Sequence, residues 1–145
     1  MFRKRRTATA GFSLIELLLV LAIMGIIAGI AIPAFVSQRR RARLIGDAES
    51  NAQVLRMQLE TYKADSGVYG TSGALYSWTN GALTAGGAPA TALNFTPKGN
   101  SRMNFAVTVG GAGLTYTINV IDPSLGASYV IYSVNQNGSA TITKY

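Results

Sequence analysis

The chain has 145 residues, with 13 lysines and arginines against 6 aspartates and glutamates, and contains neither cysteine nor histidine. These absences exclude a disulfide framework, thiol nucleophiles, zinc sites built on cysteine or histidine, and every histidine-based acid/base mechanism. Because 48% of the residues are hydrophobic, the composition is also too apolar for bulk disorder.

Eight of the 13 basic residues form two blocks that flank one apolar segment. The first block occupies residues 3–6, and the second consists of Arg39, Arg40, Arg41 and Arg43. A strongly basic chain often binds nucleic acid, and the second block leaves that alternative open. Basic residues on both sides of an apolar run are more typical of a membrane segment, where they contact anionic headgroups. With four basic residues on each side, the charge count does not set the orientation.

The apolar segment covers residues 17–36 and carries no charge. At 1.5 Å per residue a helix of this length spans roughly 30 Å, the hydrocarbon thickness of a bilayer. It is apolar on all faces, which predicts a helix buried on all sides rather than a core helix with one polar face. The run is longer than the 7–15 apolar residues of a secretory signal peptide, so ordinary signal-peptide cleavage is the weaker alternative.

Glu16 lies at the start of this apolar run. A carboxylate at the end of a membrane helix needs a partner, and two are open. The positive end of the helix dipole is one. The other arises if the chain is cut between Gly11 and Phe12, because a new amino group then appears nearby. Pairing between neighbouring copies would offset desolvation and fix their axial register.

Residues 11–16 read G-F-S-L-I-E, after a short basic leader and before the apolar helix. This arrangement resembles the class III signal of bacterial type IV pilins and pseudopilins, and the detailed resemblance covers about residues 1–67. It implies that a prepilin peptidase cuts between Gly11 and Phe12, that Phe12 is N-methylated, and that Glu16 neutralises the N-terminal amine of a neighbouring subunit. Pro33 also matches a family position.

Two features depart from the family. Many type IV pilins close a C-terminal loop with a disulfide, and this chain has no cysteine. Many major pseudopilins of type II secretion bind calcium through C-terminal acidic residues, and here Asp122 is the only carboxylate side chain beyond residue 66. One carboxylate supplies few of the oxygen ligands that a hard cation needs. We therefore predict no metal site and no cofactor.

Five segments are predicted along the chain. They are a leader at 1–11, a transmembrane or filament-core helix at 12–38, an amphipathic helix half at 39–67, a helix-to-sheet loop at 68–100 and an antiparallel sheet at 101–145. Removal of the leader takes four basic residues with it, so the net charge falls from +7 to +3.

The helix is expected to run from Phe12 to about Lys63. Gly25, Gly29 and Pro33 weaken its middle, because proline removes a backbone hydrogen bond and glycine tolerates unwinding. A close helix–helix contact at the two glycines is the alternative. The family resemblance favours local melting of this stretch in a filament.

The second half of the helix is amphipathic, and Gly67 is the expected C-cap. Its apolar positions recur at helical spacing: Leu44, Ile45, Ala48, Ala52, Leu55, Leu59 and Tyr62. In the loop that follows, Tyr69, Tyr76 and Trp78 are expected to attach the loop to the helix and sheet. The alternative is that they form a surface contact.

Strand signals begin after residue 104. Alternating apolar residues occur at 105–109 and 114–120, residues 129–134 are apolar on both faces, and a last short strand is expected at 140–143. Turns are predicted at 110–113 and at 135–138, where Asn137-Gly138 is a strong hairpin signal. The predicted fold is α+β, a long N-terminal helix whose amphipathic half packs on an antiparallel sheet of three or four strands.

The expected function is structural rather than enzymatic, because the globular part carries few ionisable groups and neither a phosphate-binding loop nor a paired carboxylate. The resemblance implies a subunit that polymerises with copies of itself. Its other partners would be the prepilin peptidase, an inner-membrane assembly platform and the membrane itself. Before assembly the subunit would span the bacterial inner membrane once with its N-terminus cytoplasmic, and afterwards it would lie in an extracellular or periplasmic filament. The alternatives are a major pseudopilin of type II secretion and an unprocessed, membrane-anchored binding module.

Overall fold

The structure, a computed structural model, describes residues 11–99 and 102–143. The predicted leader falls outside these residues, except for Gly11. The chain divides into two compact units, one up to Arg40 and the other from Arg41 onwards, and each is described by itself. In chain order, the elements are α1 (Leu14–Ser66), β1 (Leu75–Thr79), β2 (Ala82–Ala85), α2 (Gly87–Ala92), β3 (Asn104–Gly110), β4 (Thr115–Ile121), β5 (Val130–Asn135) and β6 (Ala140–Ile142).

The first unit consists of the N-terminal part of α1. Its apolar side chains are exposed on every side, as the absence of a polar face predicts. Helix α1 includes Pro33 without interruption, and a Cβ placed on Gly25 or Gly29 would meet open space. The local melting predicted for this stretch concerns the assembled filament and stays a prediction.

In the second unit, one face of α1 packs on the sheet. The buried apolar positions of the helix are Ala48, Ala52, Leu55 and Leu59, and Leu44 and Tyr62 pack at the margin. The predicted stripe is therefore confirmed at these six positions, and its seventh, Ile45, is half-buried. The helix ends where expected. Gly67 adopts φ +82°, and its N–H donates to the carbonyl of Lys63 at 2.7 Å, the arrangement of a left-handed C-cap.

The sheet has six antiparallel strands in the order β2-β1-β3-β4-β5-β6. The α+β fold with a long helix on an antiparallel sheet is therefore confirmed, whereas the strand count of three or four was too low. The predicted alternation holds in β3, where Phe105, Val107 and Val109 point into the core, and in β4, where Tyr116, Ile118 and Val120 do so.

The two extra strands lie in the segment predicted to be a loop, and that prediction was wrong for them. Strands β1 and β2 form a hairpin around Asn80 and Gly81, whose φ values are +52° and +81°. Two consecutive residues with positive φ form the turn whose twist matches a hairpin. Strand β1 is fixed by pairing with β3, about thirty residues later in the chain.

The aromatic residues of this segment belong to the core. Tyr69, Tyr76 and Trp78 are all buried, which confirms their predicted role of attaching the segment to the helix and sheet. The Trp78 ring contacts Phe95 edge to face with centroids 5.2 Å apart, and Phe95 contacts Phe105 in the same way at 5.2 Å. Such edge-to-face pairs add to the stabilisation that burial alone provides.

Asn51 ties the chain preceding β3 to the helix. It is one of the buried polar residues. Its Nδ2 donates to the carbonyls of Asp47 and Lys98 at 2.8 and 2.7 Å, and its Oδ1 accepts from the N–H of Lys98 at 2.8 Å. All three bonds satisfy groups that burial would otherwise leave unpaired at a cost of about 1–3 kcal/mol each.

Beside the apolar stripe, four polar residues of α1 form a second line of contacts, with the sheet and with the segments that flank its strands. We call Gln53, Arg56, Glu60 and Lys63 the polar seam. Gln53 lies 3.5 Å from the Tyr132 hydroxyl, Arg56 donates to the carbonyl of Gln136 at 3.3 Å, and Lys63 donates to the Tyr69 hydroxyl at 3.4 Å.

Glu60 is the centre of the seam, because two tyrosine hydroxyls donate to its carboxylate. The Tyr69 oxygen lies 2.9 and 2.8 Å from the two carboxylate oxygens, and the Tyr116 oxygen lies 3.1 Å from Oε1. Burial, followed by the hydrogen bond to Glu60 and its negative charge, raises the pKa of Tyr69 to about 12 and raises the pKa of Tyr116 as well. Both hydroxyls are thus held in the neutral form.

The raised pKa of Tyr69 predicts a loss of stability in alkali. A group whose pKa is higher in the folded state stabilises the fold below its unfolded pKa of about 10, and the contribution disappears as the pH rises through the folded value. We therefore expect the parent to melt at a higher temperature than Tyr69→Phe at pH 8, and the gap to close by pH 12. Melting is followed by the fluorescence of Trp78, the single tryptophan. Tyr62→Phe is the control, because Tyr62 lies on α1 outside the polar seam. An unchanged difference in melting temperature between the parent and Tyr69→Phe at pH 12 would refute the raised pKa of Tyr69.

Two glycines allow the energetic cost of a left-handed backbone to be measured apart from the cost of a steric clash. Gly113 and Gly73 have φ values of +87° and +82°, but a Cβ on Gly113 would collide with the Gly70 carbonyl, whereas one on Gly73 would meet nothing within 4 Å. We expect Gly73→Ala to cost about 1–2 kcal/mol from the left-handed conformation alone, and Gly113→Ala to cost at least about 2 kcal/mol more. Urea unfolding of the two variants gives both values, and equal losses would show that the Gly70 carbonyl does not crowd position 113.

Candidate functional site

The predicted site lies where α1 begins. Gly11, Phe12 and Ser13 precede the helix in non-helical conformation, and the Phe12 side chain is 81% exposed. The predicted cleavage point, the bond between Gly11 and Phe12, therefore lies in exposed chain just outside the helix. A peptidase could therefore reach this bond without unwinding the helix.

Glu16 caps its own helix. Its Oε2 accepts a hydrogen bond from the backbone N–H of Ser13 at 3.0 Å, and the Ser13 carbonyl accepts from the N–H of Leu17 at 3.2 Å. Ser13 is thus the N-cap residue and Glu16 the third residue of the helix, which is half of a capping box. The sequence left two possible partners for the Glu16 carboxylate. In the described part of the chain, the carboxylate contacts the first of them, the N-terminal end of its own helix.

Ser13 was missed in the sequence analysis, although the signal for it was present. A serine followed three residues later by glutamate, just before an apolar run, is the pattern of a capping box. The contact bears on the chemistry of the site because cleavage at Gly11 would create the new amine on Phe12. That residue directly precedes the amide to which Glu16 is bound.

The helix beyond the site has no cover. Fifteen large apolar side chains between Leu14 and Val36 are exposed, and none of the most apolar 18-residue window is buried. Even at about 1 kcal/mol each, leaving them in water costs on the order of 15 kcal/mol, as much as the stability of a whole domain. Within the described residues this is one helix that, by length and composition, can cross a membrane.

The second arginine block follows the apolar segment on the same helix. Arg39, Arg40, Arg41 and Arg43 are all exposed, so the block can contact anionic headgroups or an acidic partner. The arginine block precedes the part of α1 in which one face of the helix is buried.

The only buried carboxylate among the described residues, Asp122, has a local structural role. Its Oδ1 accepts hydrogen bonds from the N–H and the hydroxyl of Ser124 at 2.9 and 2.6 Å, in the turn after β4. Within residues 11–99 and 102–143, no three His, Cys, Asp or Glu side chains lie together in a way that could hold a metal ion.

The cap predicts different effects for two substitutions of Glu16. Glutamine keeps an oxygen that can accept from Ser13, whereas alanine leaves that N–H without an acceptor. We expect the Ser13 amide to exchange its hydrogen about fivefold faster in Glu16→Ala than in Glu16→Gln, for the full chain in detergent micelles, since a cap contributes about 1 kcal/mol. Leu17→Ala, which leaves the acceptor in place, is the control. Equal exchange in the two Glu16 variants would show that the cap is absent.

Residues 6–32 match the family model for the prokaryotic N-terminal methylation motif. The match includes the predicted cleavage point, Glu16 and most of the apolar segment. No curated protein and no solved structure matches the chain. The exposed Gly11–Phe12 bond, the capped carboxylate and the uncovered helix are thus parts of one recognised N-terminal signal: the chain carries the class III signal peptide motif of type IV pilins.

Proposed function

We propose that this protein is a structural subunit of a type IV pilus-like filament. A prepilin peptidase removes the leader between Gly11 and Phe12, the new N-terminal Phe12 is N-methylated, and the processed subunits polymerise through their N-terminal helices. The observation that carries the proposal is the methylation motif at residues 6–32, which extends into the N-terminal part of α1, where the large apolar side chains from Leu14 to Val36 are exposed.

The uncovered helix explains why the subunit needs two environments. Before assembly, the inner membrane covers it, with the N-terminus on the cytoplasmic side. After assembly, the same helices of neighbouring subunits cover it, in a filament that is periplasmic or extracellular. Leaving the bilayer then costs no apolar burial, because helix packing replaces lipid contact.

Glu16 has a different partner in each environment. In the separate subunit, the Ser13 N–H and the positive helix end compensate part of its charge. In the filament, the ammonium group on Phe12 of a neighbouring subunit offers a full opposite charge. A charge pair in an apolar surrounding is strongly favoured over either charge alone, so only the correct stagger of subunits satisfies both groups.

The globular unit fits a structural role rather than an enzymatic one. The chain has no cysteine for a disulfide, and among the described residues its C-terminal hairpin is attached to the helix by a hydrogen bond and packing. Arg56 donates to the carbonyl of Gln136, and its guanidinium packs against Gly138, where a Cβ would lie 3.0 Å from it. This contact would take the place of the disulfide that closes the C-terminal loop in many type IV pilins, and of the calcium site in many major pseudopilins.

The first test is the mass and N-terminal sequence of the protein from its native host. We expect a chain that begins with N-methyl-phenylalanine at position 12. A chain that retains Met1 in cells with active prepilin peptidase would instead support the membrane-anchored binding module.

The second test is assembly. Glu16→Gln removes the charge but keeps the cap, and we expect it to lower the yield of sheared filaments at least about tenfold, because the neighbouring ammonium group loses its partner. Asp65→Asn, the same loss of charge at an exposed site on the same helix, should assemble as the parent does. Normal filaments from Glu16→Gln would remove the charge pair from the proposal, and filaments seen only with an active type II secretion system would favour the pseudopilin.

A further inference from the structure

The charges of α1 are separated along the helix. The block Arg39 to Arg43 is followed, after about one turn, by two acidic residues, Asp47 and Glu49. The centres of the basic and acidic groups are about seven residues apart, or roughly 11 Å along the axis. Both groups lie on the part of the helix that two neighbouring subunits would bring side by side.

Of the two acidic residues, Glu49 is the more accessible to a partner. Glu49 is exposed and makes no hydrogen bond or ion pair with any part of the chain that the structure describes. Asp47 is half-buried, with its carboxylate against Gly99. Arg43 lies one helical turn from Asp47, yet among the described residues the two form no ion pair.

Two parallel copies cannot lie in register without a penalty. In register, the four arginines of one copy lie beside those of the next, within the screening length of about 8 Å at physiological ionic strength, and repel each other. A displacement of about seven residues instead places the arginines of one copy beside Asp47 and Glu49 of the other. The same displacement weakens the repulsion and supplies an attraction.

The pairing of Glu16 with the amine on Phe12 requires a displacement in the same direction. For the amine on Phe12 of one copy to lie beside Glu16 of another, the first copy must move by about four residues, or 6 Å, towards the C-terminus of the second. In a helical polymer every part of a subunit shares one axial displacement. For helices that run along the filament axis, the long side chains of arginine and glutamate span the few ångströms between the two values.

We propose that Arg39, Arg40 and Arg43 of one subunit pair with Asp47 and Glu49 of the next, forming a second register contact beyond the apolar filament core. The partner is a second copy of this chain, and the contact rests on the proposed filament. Charge complementarity between copies displaced in the direction that the Glu16 pairing requires favours this role of the arginines over headgroup or nucleic-acid binding.

Charge reversal tests the energetics. We expect Arg43→Glu and Glu49→Arg each to lower the yield of sheared filaments about threefold or more, and the two together to restore it to within about twofold of the parent. Asp65→Arg, the control on the same helix, should leave the yield unchanged. Trp78 fluorescence melting shows that each variant is folded. A double variant no better than the worse single variant would overturn the pairing.

Cross-linking tests the geometry, because the chain has no cysteine of its own. Cysteines at 43 and 49 of one helix are about 9 Å apart, beyond the reach of a disulfide, so a bond between them must join two copies. We expect oxidised filaments of Arg43→Cys/Glu49→Cys to give a ladder of linked subunits, and Arg43→Cys/Asp65→Cys to give monomers. Intact filaments that yield only monomers from the first pair would overturn the register contact but leave the proposed filament standing, whereas absence of filaments from the parent would defeat the proposed function itself.

Discussion

The need to cover an apolar helix governs the rest of this molecule. Fifteen large side chains between Leu14 and Val36 have no contact that removes them from water, and the globular unit has a complete core of its own. A bilayer or packed copies of the same helix can provide a cover of that length. The placement of the other features follows from this requirement. The cleavage point and the capped Glu16 lie at one end of the apolar segment, and the arginine block lies at the other.

The parts of the fold that were predicted correctly are those set by local periodicity. The stripe through Ala48, Ala52, Leu55 and Leu59, the alternation in β3 and β4, and the glycine cap of the helix each depend on residues close together in the chain. The same holds for the N-terminal signal, which is a short motif followed by a long uniform segment. Such patterns can be recognised in a sequence because a helix or strand with one buried face needs an apolar residue every few positions.

The parts that were missed depend on residues far apart in the chain. Strand β1 exists because β3, about thirty residues later, pairs with it, and the small and hydroxyl residues around it gave no sign of that partner. The contacts of the polar seam were missed as well, because Glu60 accepts hydrogen bonds from Tyr69 and Tyr116, which lie in separate parts of the chain. Asn51 is buried only because the chain at Lys98 folds over it. The cap at Ser13 is the exception, since its signal was local.

The way in which the last hairpin is attached has a mechanical consequence. Strand β6 has three residues, all exposed, and lies at the edge of the sheet, and the turn that leads to it is held to α1 by the Arg56 contacts. Every attachment within the described sheet is a non-covalent bond that can break under load and form again. Under a force applied to the C-terminal hairpin, the edge strand β6 would therefore separate before the central strands and pair again when the force is released. This end of the sheet can open reversibly, whereas a covalent link there would hold until it broke.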